Sequence, residues 1–139
     1  MIKQAPSILP RAVFVFIAAL LSNGVVGESE PQEVSFAADI LPEFEQQCSY
    51  CHRPYDRHGY LVLDHESSYN AIVNVPSFQL PSMDRVEPGK PEESYLWRKG
   101  IGTHVEAGGK GWNMPVMIGL RGEFKEKLRL WIEQGAKNN

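Results

Sequence analysis

Cys48-Ser49-Tyr50-Cys51-His52 holds both cysteines of the chain in one five-residue run. The pattern is C-x-x-C-H, the spacing at which a c-type haem is attached. Each thiol adds its S–H across one vinyl C=C of the porphyrin, and two intervening residues let both sulfurs reach one edge of the same ring. The adjacent histidine then lies under the iron and supplies the proximal imidazole. Two other chemistries use similar residues. A thioredoxin-like C-x-x-C pair belongs to a βαβ context, which the flanking sequence does not have. A zinc half-site needs further Cys or paired His nearby. Attachment of one haem c through Cys48 and Cys51, with His52 on the iron, is the reading taken forward.

N-terminal to this run the chain carries an export pattern. Residues 1–11 hold Lys3 and Arg11 and no acid. Residues 12–21 (AVFVFIAALL) are continuously apolar, and Ser22, Asn23, Gly24 and Gly27 supply small residues. That is the order of a secretory leader, with cleavage expected after Gly24 or Gly27. Ten apolar residues reach only about half of the ~20 that a membrane-spanning helix needs. No cysteine lies at the cleavage region to take a lipid anchor. The expectation is a leader over residues 1–27, a polar arm over 28–35 and one domain over 36–139, in a periplasmic or otherwise exported compartment. Haem c is attached on that side of the membrane, so leader and motif agree.

The chain has 14 basic and 17 acidic residues. Removing the leader takes Lys3 and Arg11, which leaves 12 against 17, a net −5. Such a protein is a poor ligand for nucleic acid or anionic lipid, and no membrane insertion is expected after cleavage. By net charge it suits a partner with a basic patch. The basic residues are spread along the chain, which leaves room for a local positive face.

With 12 Gly and 10 Pro in 139 residues, long regular elements are not expected. Residues 36–47 place Phe36, Ile40, Leu41 and Phe44 on one helical stripe, with Ser35 as N-cap and Pro42 as a kink or restart. Asp64 is expected to cap a short helix over 65–73 with Tyr69, Ile72 and Val73 inward. Residues 75–86, with Pro76 and Pro81, read as extended loop. Residues 92–99 read as a short helix after Pro91, with acids first, bases last and Gly100 as the stop. Tyr95, Leu96, Trp97 and Lys99 compete for its inner face. Residues 100–111 hold five glycines and read as loop. Residues 123–134 form the clearest helix, with Phe124, Leu128, Trp131 and Ile132 on one face and Gly135 ending it. No strand pattern of useful length is present.

The iron's second axial position has six candidates: Met83, Met114, Met117, His58, His65 and His104. Met114 is preferred, because it sits in the Gly-rich region, is followed by Pro115 and is remote in sequence from Cys51. His104 comes second and an open position third. Thioether ligation favours ferrous iron and completes the coordination sphere, which suits electron transfer over chemistry on oxygen or peroxide.

Taken with those residues, the chain from about Phe36 to Ala136 resembles class I c-type cytochromes, and more narrowly the planctomycete-type cytochrome c domains. The matching pieces are Ile40-Leu41-Pro42, Cys48 to His52, Gly59-Tyr60-Leu61-Val62-Leu63-Asp64 and Val86-Glu87-Pro88-Gly89-Lys90-Pro91 with Ser94 and Leu96. Met114-Pro115 follows, then Leu120 leading to Trp131-Ile132-Glu133-Gln134-Gly135-Ala136. Val116 stands where a second proline is common, and Arg121 where a helix-capping Ser or Thr is frequent. The resemblance implies an all-α cytochrome c-like fold, with three to four short helices and long loops around one covalently attached haem. It implies Cys48 and Cys51 as attachment points and His52 and Met114 as iron ligands. It also places the first helix against the last, through Phe36, Ile40 or Phe44 and Phe124, Leu128 and Trp131.

The function expected is one-electron transfer by a monomeric, exported mono-haem carrier between redox proteins such as a dehydrogenase, oxidase or reductase, with no enzymatic residues of its own. Two alternatives use the same residues. One is a peroxidase-like or gas-sensing domain with an open distal site, recruiting His104 or Arg121. The other is a subunit docked permanently on a dehydrogenase. The carbonyl of Pro54 is expected to accept the His52 Nδ1–H and so set the tautomer.

Overall fold

Ser35 opens the first ordered element. Its hydroxyl oxygen accepts from the Ala38 N–H at 3.1 Å, while Asp39 reaches back to accept from the Ser35 N–H at 2.9 Å. Two donors at the start of a helical segment are thereby satisfied in both directions. The computed structural model describes residues 32–139 except residue 66, with backbone alone at residues 56 and 57. The leader expected over residues 1–27 and the arm up to residue 31 lie outside the described residues.

The first segment begins as a wide π-type turn, Phe36–Ile40, and restarts as α1, Leu41–Gln47. Pro42 falls in the first turn of α1, where its missing N–H costs nothing, so the restart takes the place of a kink. A two-residue hairpin follows, β1 (His52–Arg53) against β2 (Asp56–Arg57), and then a single 3₁₀ turn at His58–Tyr60. The second helix, α2, covers only Ser68–Ile72. This is shorter than the 65–73 expected, and Asp64 does not cap it. The Ser68 hydroxyl donates to the His65 carbonyl just ahead of the helix. Helix α3 is Tyr95–Ile101 and α4 is Gly122–Glu133. Among the described residues the architecture is thus four short helices with almost no strand.

The expected stop of α3 at Gly100 is corrected to Gly102, which sits at φ 85° in the left-handed region and takes the helix-ending bond to the Arg98 carbonyl. Gly100 lies inside the helix for a different reason. A Cβ there would overlap the Leu120 side chain, so its missing side chain lets the chain at 119–120 press against α3.

The core joins the two ends of the domain, as the resemblance implied. Phe44 meets Phe124 edge to face at 5.9 Å, and Phe36 meets Trp131 at 5.4 Å. Ile40, Leu128, Trp131 and Ile132 are fully or almost fully buried around them. Tyr69 from α2 packs on Phe36 and donates its hydroxyl to the Ala136 carbonyl at 2.9 Å. Burial of aromatics on this scale dominates the stability of a small domain. Truncating one such ring to Ala costs about 3–5 kcal/mol. No helix among the described residues is long and apolar enough to cross a membrane.

Candidate functional site

Helix α1 does not stop abruptly. Its turn continues through 48–52, with the Cys51 and His52 amides both donating to the Cys48 carbonyl at 3.1 and 3.0 Å. This places Cys48 and Cys51 on one side of a tight turn and delivers His52 one turn beyond Cys48. All three side chains line one cavity of about 430 Å³, within the size range of cofactor sites. The wall is largely apolar, with Phe44, Leu61, Leu63, Leu96, Phe124 and Leu128 among its members.

Met114 reaches the same cavity from the other half of the chain. The loop that carries it is tied to the end of α3 at two points. The Met114 N–H donates to the Lys99 carbonyl at 2.9 Å, and the Leu120 N–H donates to the Gly100 carbonyl at 2.8 Å. Between them, Pro115 accepts from the Ile118 and Gly119 amides at 3.1 and 2.8 Å, which closes the loop into a turn. Gly119 is needed there. It adopts φ 70°, and a Cβ on it would come within 2.8 Å of the Gly100 carbonyl oxygen.

Of the other five candidates for an axial position, only His58 lines the cavity, with its ring 6.4 Å from that of His52. Met117 is 79% exposed and Met83 and His65 lie off the wall. His104 is buried elsewhere. Its Nε2 lies 2.9 Å from the Gly111 carbonyl, it packs edge-on to Tyr95, and its Nδ1 has no hydrogen-bond partner among the described residues. It braces the Gly-rich loop. Arg121 is exposed and donates its Nε–H to the Ile118 carbonyl at 3.3 Å.

The carbonyl at His52 Nδ1 is that of Leu61, 3.3 Å away, which replaces the Pro54 carbonyl expected. The chain reverses after β2 and brings residue 61 back beside the turn, and the Leu63 N–H to His52 carbonyl bond at 2.6 Å secures that return. With the proton assigned to Nδ1, the lone pair of the ring resides on Nε2, the arrangement of a metal-ligating imidazole.

Neither cysteine is in a disulfide. Burial pushes the Cys48 thiol up to about 12, and Glu43 and Cys51 push it the same way. A reactive redox cysteine needs the reverse, a thiolate favoured by nearby positive charge. The surroundings of Cys48 disfavour the thiolate that thiol–disulfide catalysis uses. They are compatible with a thiol held neutral against an apolar wall. No cluster of three or more His, Cys, Asp or Glu among the described residues has metal-holding geometry.

Two cations line the cavity, and their role was not visible in the sequence. Arg85 donates to the Ala71 carbonyl at 2.6 Å and to the Tyr60 carbonyl at 3.4 Å. Lys99, 7% exposed, donates to the Lys110 carbonyl and lies 5.9 Å over the Tyr95 ring. Burial lowers the pKa of both. Neither makes an ion pair among the described residues, and the cavity wall contains no Asp or Glu. The tyrosine hydroxyl of Tyr95 donates to Gln79 Oε1 at 2.9 Å on the same wall. Desolvated cations without carboxylates are stable only where an anion or bridging carbonyls compensate them. The one sign that pointed inward was Lys99, a charged residue at a core-facing helix position.

Compared with protein-family models, with curated proteins and with solved structures, the chain matches none.

Proposed function

We propose that this protein is an exported mono-haem c-type cytochrome of the planctomycete type that carries one electron between redox proteins. The observation that carries the reading is the convergence of Cys48, Cys51, His52 and Met114 on one apolar cavity from two separate parts of the chain. Haem fits the donor set chemically. Two thiols stand one helical turn apart, an imidazole has its Nδ1 facing a carbonyl, and a thioether sits on a loop pinned by two backbone bonds. Arg85 and Lys99 offer compensation for the two carboxylates that haem carries.

When bound, the haem supplies an iron that changes by one electron. The chain's part is to hold and shield it. Cys48 and Cys51 would tether the ring. His52 would ligate through Nε2 while its Nδ1–H donates to the Leu61 carbonyl, which keeps the imidazole oriented and electron-rich. Met114 would supply a thioether ligand from the same cavity wall, which favours the ferrous state. Phe44, Leu63 and Leu128 line the cavity and exclude water, which would keep solvent reorganisation small. No acid, base or nucleophile is required. The peroxidase-like or gas-sensing alternative loses the two polar groups considered for it, since neither His104 nor Arg121 lines the cavity.

The test is spectroscopic. The purified full chain, expressed with export and haem-maturation functions, should give the pyridine haemochrome of one doubly thioether-linked haem. Its ferric form should show the weak near-infrared thioether-to-iron band, and its ferrous form should bind carbon monoxide slowly. Met114→Ala should abolish that band, lower the midpoint potential and open the iron to carbon monoxide. A band that survives Met114→Ala, or rapid carbon monoxide binding by the native protein, would sink the His/Met carrier reading.

A further inference from the structure

Tyr60 holds a backbone conformation that suits glycine or asparagine. Its φ is 54°, and Gly59 before it is also left-handed, at 65°. A bulky aromatic residue is rarely found there, because its Cβ crowds the backbone. Such an outlier persists only where its surroundings impose it, and it points to a role for the residue. The turn itself imposes little. The bond that closes it, from the Leu61 N–H to the His58 carbonyl, is long at 3.4 Å. Burial does not account for the side chain either, since Tyr60 is 68% exposed.

What Tyr60 has is a ring partner. Its ring lies 4.5 Å from that of Phe78, itself 60% exposed, with the planes at 59°. Phe78 sits on a loop that is fixed at several points. The Ser77 N–H donates to the Met83 carbonyl at 2.9 Å and the Arg85 N–H to the Val75 carbonyl at 2.7 Å. The Tyr95 and Leu96 amides at the start of α3 donate to the Asp84 and Arg85 carbonyls, both at 2.8 Å. The Arg85 guanidinium adds a weaker hold on residue 60. It reaches the Tyr60 carbonyl at 3.4 Å, while its 2.6 Å bond goes to Ala71. A strained residue is thus gripped from one well-fixed loop, chiefly through its ring. The next carbonyl along the chain, that of Leu61, is the one that lies 3.3 Å from His52 Nδ1.

We propose that the Tyr60–Phe78 ring pair positions the proximal histidine: it holds Tyr60 left-handed and so aims the Leu61 carbonyl at His52 Nδ1. The proposal rests on the haem-carrier reading, because it makes an exposed ring pair a determinant of midpoint potential. The direction follows from ligand basicity. A carbonyl that accepts the Nδ1–H makes the imidazole a stronger donor, and a stronger donor favours ferric iron. Loss of aim therefore raises the potential. The plainer role for two exposed rings, shielding the cavity that Phe78 lines, carries the opposite sign. Water admitted beside the iron favours its more highly charged ferric state and lowers the potential. Tyr60 does not line the cavity, so removing its ring tests aim with the least change in solvent access.

Potentiometric titration of the full haem-loaded chain separates the two roles. Loss of an outer partner of a ligating histidine changes metal affinity by about tenfold or more. A tenfold bias between oxidation states is about 59 mV for one electron. Tyr60→Ala deletes the ring and keeps the backbone strain, and should raise the midpoint potential by up to that amount. Tyr60→Phe keeps the ring and should match native protein. Tyr60→Gly deletes ring and strain together and should fall between the two, since glycine is left-handed without help. Adding Phe78→Ala to Tyr60→Ala should give no further rise. Hydrogen exchange at the Leu61 amide supplies a readout that needs no haem. Tyr60→Ala should speed it about two- to tenfold, the weight of one aromatic pair, and Tyr60→Phe should not. If the chain takes up no haem, the haemochrome assay rejects the carrier reading and the Leu61 exchange still judges the ring pair. A potential that falls or stays unchanged in Tyr60→Ala, a Tyr60→Phe protein shifted as far as Tyr60→Ala, or a Leu61 amide indifferent to loss of the ring would each overturn the proposal.

Discussion

Gly100→Ala is the substitution on which the structure makes its sharpest demand. Inside α3, alanine is intrinsically better than glycine by up to about 1 kcal/mol. At this position, however, the new methyl would overlap Cδ1 and Cγ of Leu120. Overpacking of this kind costs about 1–3 kcal/mol when the neighbour cannot move away freely. The net is a loss of up to about 2 kcal/mol, and the geometry says where it is felt. Leu120 is the far anchor of the Met114 loop through its N–H to the Gly100 carbonyl at 2.8 Å, with Met114 bonded to Lys99 at 2.9 Å. The cheapest relief is for the loop to lift off α3 with both bonds broken, not for the helix to unfold. About 2 kcal/mol raises the lifted population roughly thirtyfold. Native-state hydrogen exchange reads this directly. Protection of the Met114 and Leu120 amides should fall by about that factor, while amides in the middle of α4, around Leu128, change little. The double variant Gly100→Ala/Leu120→Ala removes the collision and should restore the Met114 protection. If Gly100→Ala alone raises thermal stability and leaves the Met114 and Leu120 amides as protected as before, Leu120 swings aside at no cost. The argument that glycine was required by close approach then fails.

Two further tests address the charges. Arg85→Leu removes a desolvated cation from the cavity wall and should lower the midpoint potential of the haem-loaded protein, whereas Arg85→Lys should restore most of it; a redox titration in which the leucine variant matches native protein would detach Arg85 from the cofactor. Asp39→Asn should destabilise the domain at neutral pH. The Ser35 amide bond holds the Asp39 carboxyl below its ordinary value of 3.8, with Lys127 assisting against a smaller effect of burial. Its contribution is therefore present above pH 3.8 and disappears as pH falls through the depressed native value. Urea midpoints of the two proteins should differ at pH 7 and converge in acid. A gap that persists in acid would mean the variant acts through packing.

How far the sequence could be read depended on whether a residue's role was local. Helix α4 was legible because Phe124, Leu128, Trp131 and Ile132 follow the helical period, and all four are buried. The restart at Pro42 followed from proline chemistry alone. Gly100 and Gly102 could not be told apart by the same reasoning. Either glycine can end a helix, and what separates them is Leu120, twenty residues on, filling the space beside one of them. Asp64 looked like a cap because nothing in the local pattern shows that Ser68 takes the His65 carbonyl and delays the helix. The Leu61 carbonyl at His52 belongs to the same class of miss, since the hairpin of β1 and β2 had no strand pattern to announce it. Cys48, Cys51 and His52 declared themselves by spacing. Arg85 was one arginine among several until the cavity had a wall.

Helix α3 explains why these remote residues act together. It has seven residues, too few to be stable in isolation, so packing must hold it. Trp97 goes into the core and donates its indole N–H to Glu92 at 3.0 Å. Tyr95 and Lys99, four residues apart and hence one above the other, face the cavity. The carbonyls of Lys99 and Gly100, which a helix end leaves without internal partners, are the two that receive Met114 and Leu120. One short helix therefore supplies a cation to the site, a close-packed face to the loop and the acceptors that place the thioether. Its unsatisfied C-terminal carbonyls are not a defect to be capped but the means by which a loop with no regular structure is given a fixed position. It follows that Met114 can be held no more firmly than α3 itself is packed. A substitution at Trp97, which touches neither thiols nor imidazole, should release the loop before it unfolds the domain.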